Sequence, residues 1–561
     1  MVFFRFCARK YAVSFAAFGL TRECHPRRNK DFLMTYNIET AQPCARLREE
    51  SVGTTEGVLG VPPPAADAPA RVDETGVELK RGAFLNTIAM LASNFRGIFT
   101  FLVARMLGPA ALGIFSVAWS TTDIISKIGV LGLDNAITTF IARSEAVGDR
   151  ARSRSLFRVA VVLGVVQCII TAGIVIVGLR FFNNRLHLQP QMVSVLSLVL
   201  CAMPGLALYR ICTAISRGMK VMQHDIYSRG MTEPIATTLA FLLAIAVGFK
   251  EFSPEVAAIV GTAASGIVAL RLASSCFHDV PAPTAVMSPV AEARSLLAYS
   301  APISIYQLIN ALIARLDLIL LGYFVGRAPG VTLATVGIYS AVVGTANGLR
   351  KVNQAFNPIF APVVAGMTAT GDHDVAAATY ARLAEWMLWI LLPLVAVLSL
   401  AGSTILLIYG PAFRQGGAWL GIVAFASAIN AFVYLGETVI MVQRPRLNLL
   451  HSSITCVVAF AGLLWLIPRF GPLGAAVGIL LPYVVQGLLR YATLRWVFHW
   501  KDSWSDISPP LIAAGIAIVP ALICRGFLSG VVGQVTSAAV FLAVFGVQWW
   551  RHHWYFHLRR P

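Results

Sequence analysis

The sequence predicts an all-α polytopic membrane protein. It should have about fourteen transmembrane helices: two six-helix lobes from an internal repeat, plus two extra C-terminal helices. Three observations predict this. Of the 561 residues, 57% are hydrophobic and 13% charged, where soluble domains run nearer ~25% charged. Apolar segments of about 20 residues, the length that crosses ~30 Å of hydrocarbon as a helix, follow one another from Lys80 onward. A stretch of the first half also recurs in the second at constant spacing. The net charge of +18 fits basic loops beside anionic lipid rather than nucleic acid. The nine cysteines lack close spacing and read as buried free thiols. The histidines show no ligand spacing outside the tail RHHWYFH, so neither metal nor cofactor is expected. No Walker A, G-x-S-x-G or H-E-x-x-H pattern stands in a suitable context, which argues against ATP hydrolysis and against an enzyme.

Residues 1–79 form an N-terminal extension. The stretch GVPPPAADAPARVDETG is rich in Pro, Ala and acidic residues. Such a composition buries too little apolar surface to fold, so a disordered cytoplasmic segment is expected. Its first residues carry a weak targeting-peptide pattern, too interrupted to span, and Met34 is an alternative start. Spans then fall near 82–106, 110–136, 157–180, 192–213, 228–249, 254–277, 296–325, 334–358, 384–409, 417–442, 448–467, 472–497, 509–525 and 531–549. Spans 1–6 make an N-lobe (80–280) and spans 7–12 a C-lobe (281–500); residues 501–561 hold spans 13 and 14 and a basic tail. Basic residues cluster after even-numbered spans: Arg143, Arg150, Arg152, Arg154 and Arg158 after span 2, and Arg217, Lys220 and Arg229 after span 4. Loops after odd-numbered spans are poorer in them, so both termini are expected in the cytoplasm of an inner-membrane protein.

The repeat is specific. Gly113, Phe115 and Ser116 match Gly337, Tyr339 and Ser340. Gly148-Asp149 matches Gly371-Asp372 after nearly the same interval, and Phe157 and Arg158 then match Tyr380 and Arg382. Spans 1–6 and 7–12 are therefore expected as two copies in parallel orientation, and transporters built from repeats hold substrate between them. Within INALIARLDLILLGYFVG (309–326), Arg315 and Asp317 stand deep in an apolar span. Charges there are costly and tend to be functional. Two residues apart, they cannot share a helix face. Arg96 stands at a matching place in span 1.

The segments LGPAALGIFSVA, LDLILLGYFVG, IYGPAFRQGGAWLGIVAFASAINAF and IPRFGPLGAA, with the turn Gln443-Arg444-Pro445-Arg446, resemble the polysaccharide-transporter branch of the multidrug/oligosaccharidyl-lipid/polysaccharide (MOP) exporter superfamily. The resemblance covers about residues 80 to 500. It implies that an undecaprenyl-pyrophosphate-linked oligosaccharide is flipped from the cytoplasmic to the outer leaflet, by alternating access between the lobes, for polysaccharide export. The long N-terminal extension departs from the family pattern. Membrane lipids, a polysaccharide polymerase and other assembly proteins are the partners expected; nucleic acid is not.

A pyrophosphate must exchange its water shell for fixed donors, and an arginine fork supplies two while keeping its charge. Arg96 and Arg315 are the first candidates, then Arg350 and Lys351 in span 8, whose Asn347, Asn353 and Gln354 suit sugar hydroxyls. For Arg350 and Lys351 the alternative is snorkelling to an interface. Asp317, Glu233, Asp123 and Glu437 are the carboxylates that a coupling ion would use. Asp123 is expected to pair with Lys127, four residues on, and Asp317 with Arg96 across the lobes. Glu233 precedes Pro234, where a broken helix is expected. Trp119, Tyr306, Tyr339 and Trp386 are the aromatic candidates for sugar stacking, against plain packing. Three other functions come into question. A cation-coupled multidrug exporter needs an acidic cavity, whereas these charges lean basic. A peptidoglycan lipid II flippase differs only in the glycan. A membrane-embedded glycosyltransferase or ligase needs a large extramembrane segment, and the loops between spans are short.

Overall fold

The computed structural model describes residues 95–186, 189–278, 288–352, 373–500 and 504–558. The extension expected at 1–79, and the candidates Asn353 and Gln354, lie outside them. Among the described residues every regular element is helical, the solution that satisfies all backbone polar groups within one segment in hydrocarbon. Among the described residues ten helices are long and apolar enough to cross a membrane. The expectation of fourteen differs for two physical reasons.

The first is that two of the ten helices are each a pair of spans joined at a Gly-Pro reversal. Phe95–Val130 turns at Gly108 (φ 83°, ψ −179°), and Pro445–Ala492 turns at Gly471 (φ 56°, ψ −132°). Only glycine reaches such angles without strain. The proline that follows each, Pro109 or Pro472, starts the next helix where its missing N–H costs nothing. The second reason is length. Span 5 is Glu233–Ala246 and the regular α-helix of span 8 is Leu333–Ala346, 14 residues each; span 8 then passes through a 3₁₀ turn, Asn347–Leu349, and stays helical to 352, the last residue described there. Span 5 is preceded by a π-helical stretch, Ile226–Thr232. The break expected at Pro234 is thus a widened turn. It accommodates the proline ring and the lost hydrogen bond without opening the helix. Span 2 is not continuous either: it turns at Leu131 and Gly132, both at positive φ, before Leu133–Val147.

The segments matched by the sequence repeat face each other. A Cβ on Gly113 would overlap the Leu333 carbonyl oxygen and lie 2.8 Å from the Gly337 nitrogen. A Cβ on Gly337 would overlap the Pro109 carbonyl oxygen and lie 2.9 Å from the Gly113 nitrogen. Each glycine thus meets the backbone four residues before its counterpart, the reciprocity of a local two-fold axis. One turn further on, the matched Ser116 and Ser340 share a hydrogen bond of 2.6 Å. Small residues permit this approach, which van der Waals contact rewards in a membrane. Spans 13 and 14 (Trp504–Phe527 and Gly530–Leu558) stand apart from that crossing. With Trp389, Ala396 and Leu400 of span 9 they build a separate apolar cluster, in which Ala513, Ala517 and Ala521 form a small-residue stripe.

Candidate functional site

Beside the Ser116–Ser340 contact a cavity of about 350 Å³ opens between the two halves of the sequence, near the small end of ligand sites. Span 2 contributes Phe115, Ser116, Trp119 and Ser120, one helical face. Span 8, its 3₁₀ turn and the helical residues just beyond contribute Ser340, Gly344, Asn347, Gly348 and Lys351. Span 7 adds Arg315 and Leu318. The junction of the π-helix with span 5 adds Glu233, Pro234 and Thr237, and span 1 adds Gly97 and Thr100. Five candidates singled out in the sequence, Arg315, Lys351, Asn347, Glu233 and Trp119, therefore line one space. The Arg96 side chain lies outside the described residues, next to the lining residue Gly97.

The charged pair of span 7 separates as its spacing requires. Arg315 faces the cavity with its side chain 35% exposed and lies 3.9 Å from Asp123 of span 2. Asp317 is 1% exposed and accepts a hydrogen bond of 2.8 Å from Tyr339 of span 8. Its Oδ1 has no hydrogen-bond partner among the described residues. The Asp317–Arg96 pair expected from the sequence involves a side chain outside the described residues; among those described, Asp317 is held by a buried hydroxyl. Asp123 does not turn to Lys127. Its Oδ1 is held by Arg210 of span 4 at 2.6 Å, and the other Arg210 nitrogen, Nη1, donates to Ser126 at 2.9 Å. A partner on another helix offers a two-armed contact that the i,i+4 lysine does not.

Three further expectations are corrected. Arg350 does not line the cavity. Its guanidinium donates to the Tyr483 hydroxyl of span 12 and lies over that ring, 5.5 Å from the centroid. Glu437 sits in a hydrogen-bonded network within the second half. Arg490 donates to one oxygen at 2.6 Å, the Tyr306 hydroxyl donates to the other, and Asn448 donates to Tyr306 at 3.1 Å. Tyr306 and Tyr339 therefore spend their hydroxyls on carboxylates. Trp386 packs against His553 near the end of span 14. Of the four aromatic candidates, Trp119 lines the cavity, backed by Phe115 at 6.1 Å. Arg210 and Arg490 escaped the sequence reading, although each is an arginine inside an apolar span and carries the signal that marked Arg315.

A family model described as "Polysaccharide biosynthesis protein" matches residues 79–364. No curated protein matches the sequence. Among solved structures, the lipid II flippase MurJ in an inward closed conformation is 10% identical with a TM-score of 0.60, covering 85% of this chain and 100% of its own. An inward-facing multidrug resistance MATE-family transporter of the MOP superfamily is 12% identical with a TM-score of 0.58, covering 74% and 98%. A MOP-superfamily transporter from Pyrococcus furiosus, whose binding pocket is described as having reversed polarity, is 12% identical with a TM-score of 0.52, covering 74% and 94%. At these identities the likeness is one of fold: the chain has the architecture of MOP-superfamily transporters and flippases.

Proposed function

We propose, from the premise that the chain belongs to the polysaccharide biosynthesis protein family, that it flips a lipid-pyrophosphate-linked oligosaccharide across the inner membrane by alternating access. The observation that carries the proposal is the cavity lining. Among the described lining residues two cations, Arg315 and Lys351, stand against one carboxylate, Glu233, a balance of +1. An anionic headgroup is stabilised by that balance, whereas a cationic drug would meet repulsion. Arg315 brings a planar fork that can donate twice to phosphate oxygens, and Lys351 a mobile point charge. Asn347 and the serines of spans 2 and 8 offer hydroxyl partners, and Trp119 a flat face for the first sugar. A pyrophosphate-linked lipid suits a family of polysaccharide biosynthesis; lipid II would engage the same charges through a different glycan.

Of the carboxylates, Asp123 and Glu437 are bound to arginines. Asp317 is buried without an ion-pair partner among the described residues, and is the one we assign to coupling. An uncompensated site of this kind takes up a counter-charge from outside, and a proton is the smallest. The experiment is export in cells carrying the Arg315→Ala variant. Loss of surface glycan, accumulation of the lipid-linked precursor on the cytoplasmic side and normal protein abundance are expected. Full export by Arg315→Ala would refute the substrate assignment.

A further inference from the structure

We propose that Asp123 is a latch on the anion site: it holds Arg315, and thereby the two halves, until a phosphate anion takes its place. The inference rests on the substrate reading above and adds a positioning role for Asp123 and Arg210.

The two carboxylate oxygens of Asp123 are used differently. Oδ1 is bound by Arg210 at 2.6 Å, within the first half of the sequence. Arg210 is itself tied to Ser126 at 2.9 Å, and the Ser126 hydroxyl donates back to the Asp123 carbonyl at 2.7 Å. This fixes the carboxylate on span 2. Oδ2 reaches Arg315 across the halves at 3.9 Å, too long for a hydrogen bond. The first contact is an anchor; the second is a loose Coulombic tie, to a guanidinium that already faces the cavity.

An incoming pyrophosphate carries more charge than one shared carboxylate and matches the guanidinium fork. It takes Arg315 from Asp123. The exchange leaves no orphaned charge in the membrane, because Arg210 still neutralises Asp123 and the phosphate neutralises Arg315. What disappears is an ion pair joining span 2 to span 7. Separation of the halves therefore becomes easier only when the anion is present, and the empty protein stays tied. Without Arg210 the same exchange would strand Asp123, so Arg210 makes the latch reversible.

The test uses the full-length protein in nanodiscs, with its native cysteines replaced and spin labels at Val147→Cys and Val290→Cys. These sites are 85% and 77% exposed, at the end of Leu133–Val147 and the start of Pro289–Tyr323. Inorganic pyrophosphate is the probe. The decisive variant is Asp123→Asn/Arg210→Gln, which removes the latch without changing net charge and without stranding Arg210. It should bind pyrophosphate about 3-fold more tightly than wild type, the scale of a partly exposed ion pair. Without ligand, it should already show the inter-label distance distribution that pyrophosphate induces in wild type. Wild-type affinity in the double variant overturns the latch. So does tighter binding with an unchanged distance distribution, since the carboxylate would then compete without holding the halves. If wild type binds no pyrophosphate and Arg315→Ala behaves identically, the substrate reading falls and the latch with it. If Arg315→Ala loses binding while the double variant matches wild type, the latch alone falls.

Discussion

Two arginine–carboxylate sites lie inside this membrane protein, and they are built for opposite ends. Arg490 and Glu437 meet at 2.6 Å with side chains 2% and 13% exposed, and the remaining groups close around them: the Val433 carbonyl accepts from Arg490 and the Tyr306 hydroxyl donates to Glu437. Arg315 and Asp123 stand 3.9 Å apart with side chains 35% and 23% exposed, and Arg315 lines the cavity. The first pair is tightly made, and both Glu437 oxygens already hold a donor. The second is wet and loosely made, so its arginine can change partner. An intramembrane charge is thus a functional signal only after its partners are known. The same residue types make a structural rivet in one half and an exchangeable site between halves.

The largest expected effect falls on the rivet. Glu437→Ala leaves Arg490 buried and uncompensated, a loss of about 3–5 kcal/mol. It should appear as a lowered midpoint in thermal unfolding of the purified protein and as reduced abundance. Glu437→Gln/Arg490→Leu removes both charges and should recover most of that loss. If it does not, the pair is more than structural and the contrast with Arg315 breaks down.

A second effect tests the crossing that frames the cavity. Gly337→Val puts side-chain atoms onto the Pro109 carbonyl, where there is no room. Overpacking of this kind costs about 1–3 kcal/mol, and here it is relieved by parting the halves. Cross-linking between cysteines at Ser116 and Ser340 should be lost in Gly337→Val, and equally in Gly113→Val because the contact is reciprocal. Unequal responses from the two variants would deny the two-fold relation.

How far these features were readable in the sequence follows from their range. The repeat put Gly113 with Gly337 and Ser116 with Ser340, and those pairs touch, since a two-fold axis brings matched positions together. The separation of Arg315 from Asp317 followed from helix geometry alone. The pairs Asp123–Arg210 and Glu437–Arg490 were not legible. They join residues 87 and 53 apart in the chain, and one sequence does not say which faces of distant helices meet. Arg350 shows the same limit: its position in span 8 was clear, but not its turn toward Tyr483. The breaks between spans 1 and 2 and between spans 11 and 12 were legible and fall at Gly108 and Gly471; the shortness of the regular helices in spans 5 and 8 was not.

The smallest expected effect concerns Asp317. Asp317→Asn is isosteric and keeps an acceptor for Tyr339, so thermal stability should change by under ~1 kcal/mol. Flipping should persist but lose its dependence on a proton gradient. A gradient dependence equal to wild type would return Asp317 to plain packing and leave coupling to another group.

The central claim, that Arg315 receives the substrate's pyrophosphate, is tested most directly in reconstituted vesicles carrying a lipid-pyrophosphate-linked glycan, with leaflet exchange read by an enzyme added outside. Wild type should exchange the whole pool. Arg315→Ala should fall to the rate of protein-free vesicles, and Arg315→Lys should fall between, keeping the charge but losing the fork. Equal rates for wild type and Arg315→Ala, at equal protein incorporation, would contradict the account.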